Sequence, residues 1–311
     1  MWPLKIYSSI DDFSTLKNAV VTTGTFDGVH LGHRRIIQQL KDLAESSGGE
    51  TVLLTFWPHP RMVLFDDQDL RLINTQKEKE ALLAEAGVDH LIVHPFTKQF
   101  SRLTAVEYVR EILVNRIGTK KLVIGYDHHF GRNREGNFDD LVEYGRTYHF
   151  DVEEIPAQVL DNVSVSSTKV RNALLEGDVA TANDYLGSIF ALNGTVVKGD
   201  TLGRTLDFPT ANIEVSEKYK LIPADGVYAV EVCVQGIWHL GMANIGKRPT
   251  VSGQDRQIEA NLFDFDGDIY GEQITMAFHQ RLRAEQKFGS LEELKAQLHL
   301  DREAALNILK S

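Results

Sequence analysis

Along the first 186 residues, short apolar runs alternate with stretches of helical period. The runs Ala19–Thr23, Thr51–Phe56, His90–His94, Lys121–Gly125 and Val152–Ile155 read as strands. Between them, about Gly32 to Ala44 reads as a helix. A second helix opens with Thr75 and Glu78 and ends before Gly87; a third opens with Thr104 and Glu107. Both openings have capping-box spacing, in which the first side chain and the one three residues on satisfy each other's backbone N–H. Ser167–Glu176 and Val179–Leu186 read as two short closing helices. Strands alternating with helices predict a parallel sheet covered on its faces. After Gly187 the period changes. Asn193–Val197, Gly226–Val234, Trp238–Ile245, Gln257–Phe263 and Gln273–His279 follow one another without helices, separated by turn signals. That texture predicts an antiparallel barrel or sandwich. Ser290 and Glu293, read as a third capping box, then open a final helix reaching Leu309. The expected division is 1–186 and 187–311.

The chain has 311 residues, which fits two domains at about 150 residues each. Its 42% apolar and 25% charged residues exclude global disorder and collagen. Net charge is −11, so an extended nucleic-acid or anionic-membrane surface is not expected. Cys233 is the only cysteine, which excludes an intrachain disulfide and a cysteine zinc cluster. No signal peptide or membrane span is read, and the expectation is a soluble cytoplasmic protein.

The strongest chemical signal is Gly24-Thr-Phe-Asp-Gly-Val-His-Leu-Gly-His33, where a strand ends and a helix begins. Gly28 and Gly32 allow a tight turn and close approach to a ligand. The helix start offers unpaired N–H groups and a positive dipole end, suited to phosphate. His30 and His33 add two donors, able to neutralise a triphosphate without a covalent intermediate. For an isolated HxGH, surface histidines at a helix start would be the default, and an HxxH metal pair would need a third ligand. The full string behind a strand reverses those odds. It resembles the signature of the HxGH nucleotidyltransferase superfamily.

Gly125-Tyr-Asp-His-His-Phe-Gly131 and Ser166-Ser-Thr-Lys-Val-Arg171 follow in order, with Thr55-Phe-Trp-Pro-His-Pro60 between them and the first motif. Together they resemble the bacterial bifunctional riboflavin kinase/FAD synthetase family. In the second half, Gly194-Thr-Val-Val-Lys-Gly-Asp-Thr-Leu-Gly-Arg204 almost spells a P-loop. Asp200 occupies the lysine position and no helix follows, so that reading is rejected. In Phe208-Pro-Thr-Ala-Asn212, Thr210 and Asn212 face the same way if extended, and their oxygens suit Mg²⁺ on phosphates. A surface turn with two polar side chains is the alternative. Glu259 lies in a strand among apolar neighbours, as a general base or a salt-bridged carboxylate. These segments, with Gly246–Thr250 and Leu282–Phe288, resemble the riboflavin kinase module.

The resemblance implies a Rossmann-like α/β HxGH nucleotidyltransferase domain and an all-β, riboflavin kinase-like barrel with a C-terminal helix. It implies two reactions: riboflavin plus ATP gives FMN, and FMN plus ATP gives FAD and pyrophosphate, both with Mg²⁺. By carry-over, His30 and His33 hold ATP phosphates during adenylyl transfer. Gly24, Phe26, Asp27, Gly28, Gly32, Asp127, Ser167, Thr168 and Arg171 line that site. Gly199, Gly203, Arg204, Thr210, Asn212 and Arg283 line the kinase site. Thr210 and Asn212 hold Mg²⁺, and Glu259 is the base. The chain departs from the family pattern at Asp207 (usually Gly), Asn261 (usually His) and Ser164 (often Arg). The rival readings are one live site, a flavin- or nucleotide-binding regulator, or a generic HxGH enzyme fused to an unrelated barrel. The expected partners are small molecules, riboflavin, FMN, FAD and ATP, with no nucleic acid and no membrane; a transient homo-oligomer stays open.

Overall fold

The computed structural model describes residues 3–67, 69–126, 128–156, 165–199, 208–250 and 253–310. They form two compact units, Met1–Ser167 and Thr168–Ser311. Asp127, Ser164, Gly203, Arg204 and Asp207 lie outside the described residues.

The first unit is built on six parallel strands: β1 (Lys5–Tyr7), β2 (Ala19–Thr23), β3 (Glu50–Trp57), β4 (His90–Pro95), β5 (Thr119–Gly125) and β6 (Asp151–Ile155). Their order is β1-β4-β3-β2-β5-β6. Helices α1 (Leu31–Ser47), α2 (Pro60–Leu64) and α3 (Gln76–Glu85) follow in chain order. Next come α4 (Ala105–Glu107), continuing as a π-type segment (Tyr108–Ile117), and α5 (Phe138–Tyr148). Consecutive strand residues feed opposite layers. Val20 packs with Leu40 and Ala44 of α1, whereas Val21 packs with Val109 and Leu113 of the π-type segment. Burial on both faces is why these strands read as continuous apolar runs. Two of the three predicted capping boxes form, at Thr75/Glu78 and Thr104/Glu107. Moving from β2 through β3 to β4 goes one way across the sheet, and β5 to β6 goes the other. The order therefore reverses between β2 and β5. Open parallel sheets bind ligands beyond the carboxyl ends of strands at such a reversal.

The second unit contains a closed antiparallel barrel of β7 (Phe190–Val197), β8 (Ala211–Glu214), β9 (Gly226–Val234), β10 (Ile237–Thr250), β11 (Gly253–Leu262) and β12 (Gln273–Arg283). Around the barrel the order is β10-β11-β8-β7-β12-β9. Helix α8 (Leu291–Leu309) packs over it through Ala305, Leu298 and Leu306 against Phe208, Ala229, Met242 and Phe263. Ser290 caps α8 as expected, accepting from the Glu293 N–H. The Glu293 carboxylate takes the Gly289 N–H, so the box is not reciprocal.

Helices α6 (Ser167–Glu176) and α7 (Val179–Leu186) have the bounds expected from the sequence. Their packing, however, joins them to the barrel. The buried Asn183 side chain accepts the Phe190 N–H at 2.7 Å and donates to the Phe278 carbonyl at 2.8 Å. The Leu174 carbonyl accepts the Ala224 N–H at 3.0 Å. The two compact units meet at Ser167, the first residue of α6, and the change of period near residue 187 marks where α7 ends. Among the described residues no helix is long and apolar enough to cross a membrane.

Candidate functional sites

The Gly24–His33 segment leaves the carboxyl end of β2 beside the reversal of strand order. Three residues hold positive φ: Phe26 (49°), Gly28 (89°) and Val29 (43°). Only glycine adopts that region freely, so Phe26 and β-branched Val29 are held there by their surroundings. Phe26 is buried in the core with Val29 and Leu53. Asp27 is also buried, and its Oδ1 accepts the Ile73 N–H at 2.9 Å and the Asn74 N–H at 3.4 Å. The Ser167 hydroxyl donates to the Asp27 carbonyl at 2.9 Å. Phe26 and Asp27, expected to line the ligand site, also shape the turn from inside.

His30 is the N-cap of α1, and its Nδ1 accepts the His33 N–H at 3.4 Å. The two imidazoles stack with centroids 3.7 Å apart, 17° from parallel. Phe26 packs on the other ring partner, its centroid 4.7 Å from that of His33. A Cβ at Gly32 would come within 3.2 Å of the His30 ring, so this glycine keeps room for the stack. Burial, then His30, then Lys79 hold the His33 pKa well below 6.5. His33 Nδ1 is buried without a hydrogen-bond partner among the described residues. The arrangement offers a neutral His33 imidazole, the His30 ring stacked on it and the backbone N–H groups of a positive helix end, a set suited to an anionic phosphate chain. Thr168 and Arg171 follow Ser167 on α6 and belong to the second unit.

In the barrel, Glu259 on β11 stands in register with Asn212 on β8 and with Asn244 on β10. A Cβ on Gly199 would overlap the Asn212 amide, so the Gly199 backbone lies directly against it. Asn261 donates from Nδ2 to the Pro209 carbonyl at 2.7 Å, fixing the approach to Thr210. Buried Phe208 anchors the same segment, its ring 5.0 Å from that of His299 on α8. Arg283, expected to line the kinase site, is bonded to α8. Its Nε and Nη2 grip both oxygens of Asp301, 3% exposed on α8, and its Nη1 donates to the Ala284 carbonyl. These bonds make it a tie between β12 and α8.

Residues 12–169 match the FAD synthetase family model, and residues 186–309 match the riboflavin kinase model. The bifunctional riboflavin kinase/FMN adenylyltransferase of Escherichia coli (strain K12) is 40% identical over 286 residues, 92% of this chain and 91% of its own. The chain belongs to the bifunctional riboflavin kinase/FMN adenylyltransferase family. A second riboflavin kinase/FMN adenylyltransferase, from Listeria monocytogenes, is 41% identical over 290 residues, again 92% of this chain and 91% of its own. A solved structure described as a macrolide-efflux protein from Streptococcus pneumoniae superposes with a TM-score of 0.90 at 33% identity. The match covers 98% of this chain and 99% of that one.

For a riboflavin kinase/FMN adenylyltransferase, the donors around Thr210 suit a hard cation. No group of three His, Cys, Asp or Glu forms a metal cage among the described residues. Asn212, in register with Glu259, and Thr210 two residues before it would offer neutral oxygens near one carboxylate, a set that would fit Mg²⁺ arriving on phosphates. One residue beside the first site escaped the sequence reading. Lys79 on α3 is buried, 8% exposed, with its ammonium against the turn. Its signal was its spacing, four residues before core Leu83, hidden within the charged run Lys77-Glu-Lys-Glu80.

Proposed function

We propose that the barrel unit phosphorylates riboflavin with ATP to give FMN, and that the α/β unit transfers an adenylyl group from ATP to FMN, giving FAD and pyrophosphate, in the cytoplasm. One observation carries the division of labour. His30 and His33 lie wholly in the first unit, and Glu259, Thr210 and Asn212 lie wholly in the second.

In the kinase reaction, Glu259 accepts the proton of the riboflavin primary hydroxyl as its oxygen bonds to the γ-phosphorus and ADP leaves. A primary hydroxyl is a poor nucleophile until its proton is accepted, which is the reason for a base there. Thr210 and Asn212 would hold the Mg²⁺ that neutralises the ATP phosphates. In adenylyl transfer, an FMN phosphate oxygen bonds to the α-phosphorus and the bond to pyrophosphate breaks. Negative charge grows on the leaving oxygens. Imidazole N–H groups of His30 and His33, with the α1 amides, would bind that charge without reorganising.

The test is to incubate the full chain with riboflavin and Mg²⁺–ATP and separate the flavins over time. FMN should rise first and FAD should follow. FMN that accumulates without FAD would leave one live site, and neither product would overturn the reading.

A further inference from the structure

Lys79 makes two contacts that bear on the strained turn. Its Nζ donates to the Thr25 carbonyl and to Thr55 Oγ1, each at 3.3 Å. The Thr55 hydroxyl donates to the same Thr25 carbonyl at 3.2 Å. Lys79 thus joins α3, the end of β3 and the motif turn at one point. The Asp27 carboxylate, anchored by the Ile73 and Asn74 amides, adds an attractive charge. Directly after Thr25 come Phe26 and, three residues on, Val29, both at positive φ. Such residues persist only where neighbours over-determine the backbone.

We infer that Lys79 is a positioning residue for adenylyl transfer: through the Thr25 carbonyl and Asp27 it locks the Gly24–His30 turn and sets a fixed positive charge behind it. The inference rests on that turn being the adenylyl-transfer site. It also answers an electrostatic question. With His33 held neutral at pH 7, the stack supplies donors but no net charge from that ring. A buried lysine supplies charge and cannot be displaced by water. Titratable groups interacting with it are Asp27, Glu80 and His33. Burial brings the Lys79 pKa down to about 8, against the raising effect of Asp27 and Glu80. As pH rises through that value the ammonium loses its charge, and the grip on the turn weakens.

The experiment uses the full chain and measures FAD formation from supplied FMN and FMN formation from riboflavin separately. Lys79→Met keeps the stem and removes the donor and charge. It should lower kcat for FAD formation by on the order of 10²-fold, the scale of an active-site misplacement. KM for ATP should change far less than kcat, and riboflavin phosphorylation should stay at the wild-type rate; because the kinase residues lie in the other unit, a circular dichroism melt of the full chain reports whether the first unit is folded. The unmodified chain should lose FAD formation above about pH 8, with no matching loss of kinase activity. The residual activity of Lys79→Met should lack that decline. His33→Ala is assayed alongside. Full activity of Lys79→Met with an inactive His33→Ala overturns the inference and spares the site. Full activity of both removes the site reading itself. If Lys79→Met does not fold, a wild-type FAD profile that runs flat from pH 7 to pH 9 (about one unit either side of the value above) overturns the inference.

Discussion

The imidazoles of His30 and His33 stack 3.7 Å apart at the start of α1. Protonating either ring would set a positive charge against its neighbour, for His33 near Lys79 as well, and burial already disfavours the charged form of His33. Bound phosphates reverse that balance, because anions favour the imidazolium. His33, neutral in the free protein well below pH 6.5, should therefore take up a proton as ATP binds. Calorimetric titration near pH 6, run in buffers of different ionisation enthalpy, should show proton uptake in the wild type and less in His33→Ala. Equal uptake in both would remove His33 from the phosphate contact.

Glu259 shares its register position with Asn212 and Asn244. A Glu259→Gln variant keeps the shape and removes the proton acceptor. FMN formation from riboflavin should fall by roughly 10²-fold or more, the range for a general base. FAD formation from supplied FMN should persist. A variant that retains most kinase activity would make Glu259 a structural carboxylate.

Much of this arrangement was legible in the sequence, and the gaps have physical causes. The bounds of Ala19–Thr23, Gly226–Val234, Ser167–Glu176 and Val179–Leu186 match because apolar period and punctuation agree there. Strands β1 and β8, of three and four residues, are too short to show a period. Helix α5 was missed although Asn137 and Asp140 form a capping box and Phe138 and Leu141 begin its apolar stripe. The histidine motif could be found because one contiguous string makes its turn. Lys79 and the Arg283–Asp301 tie could not, because their partners are distant in sequence and local pattern does not report which charge turns inward.

Asn261 stands where the family pattern usually has His, and its amide holds the Pro209 carbonyl at 2.7 Å. Removing it by Asn261→Ala frees the segment that carries Thr210, at a net cost of about 1 kcal/mol for the lost bond. The expected result is a higher KM for ATP in the kinase reaction, several-fold on that scale, with a smaller effect on kcat. An unchanged KM would show that Phe208 alone, packed under α8, fixes the segment.

The last prediction concerns where the barrel can be cut from the chain. A cut at Gly187 follows the change of period, but it discards α6 and α7. Asn183 goes with them, leaving the buried Phe190 N–H and the Phe278 carbonyl without their partners. The Ala224 N–H also loses the Leu174 carbonyl. Each buried polar group left unpaired costs about 1–3 kcal/mol. Val179, Ala182 and Leu186 are buried as well, so their removal also exposes apolar surface. A fragment of residues 168–311 should therefore fold and convert riboflavin to FMN. A fragment of residues 187–311 should be less stable by several kcal/mol, enough to lower its Tm by about 10 °C or more at roughly 3–5 °C per kcal/mol, between the scales for smaller and larger domains. Circular dichroism melts of both fragments, with a kinase assay on each, make the comparison. Equal melting temperatures would show that α6 and α7 rest on the barrel without supporting it, and the cut after Leu186 would then be the true edge of the folding unit.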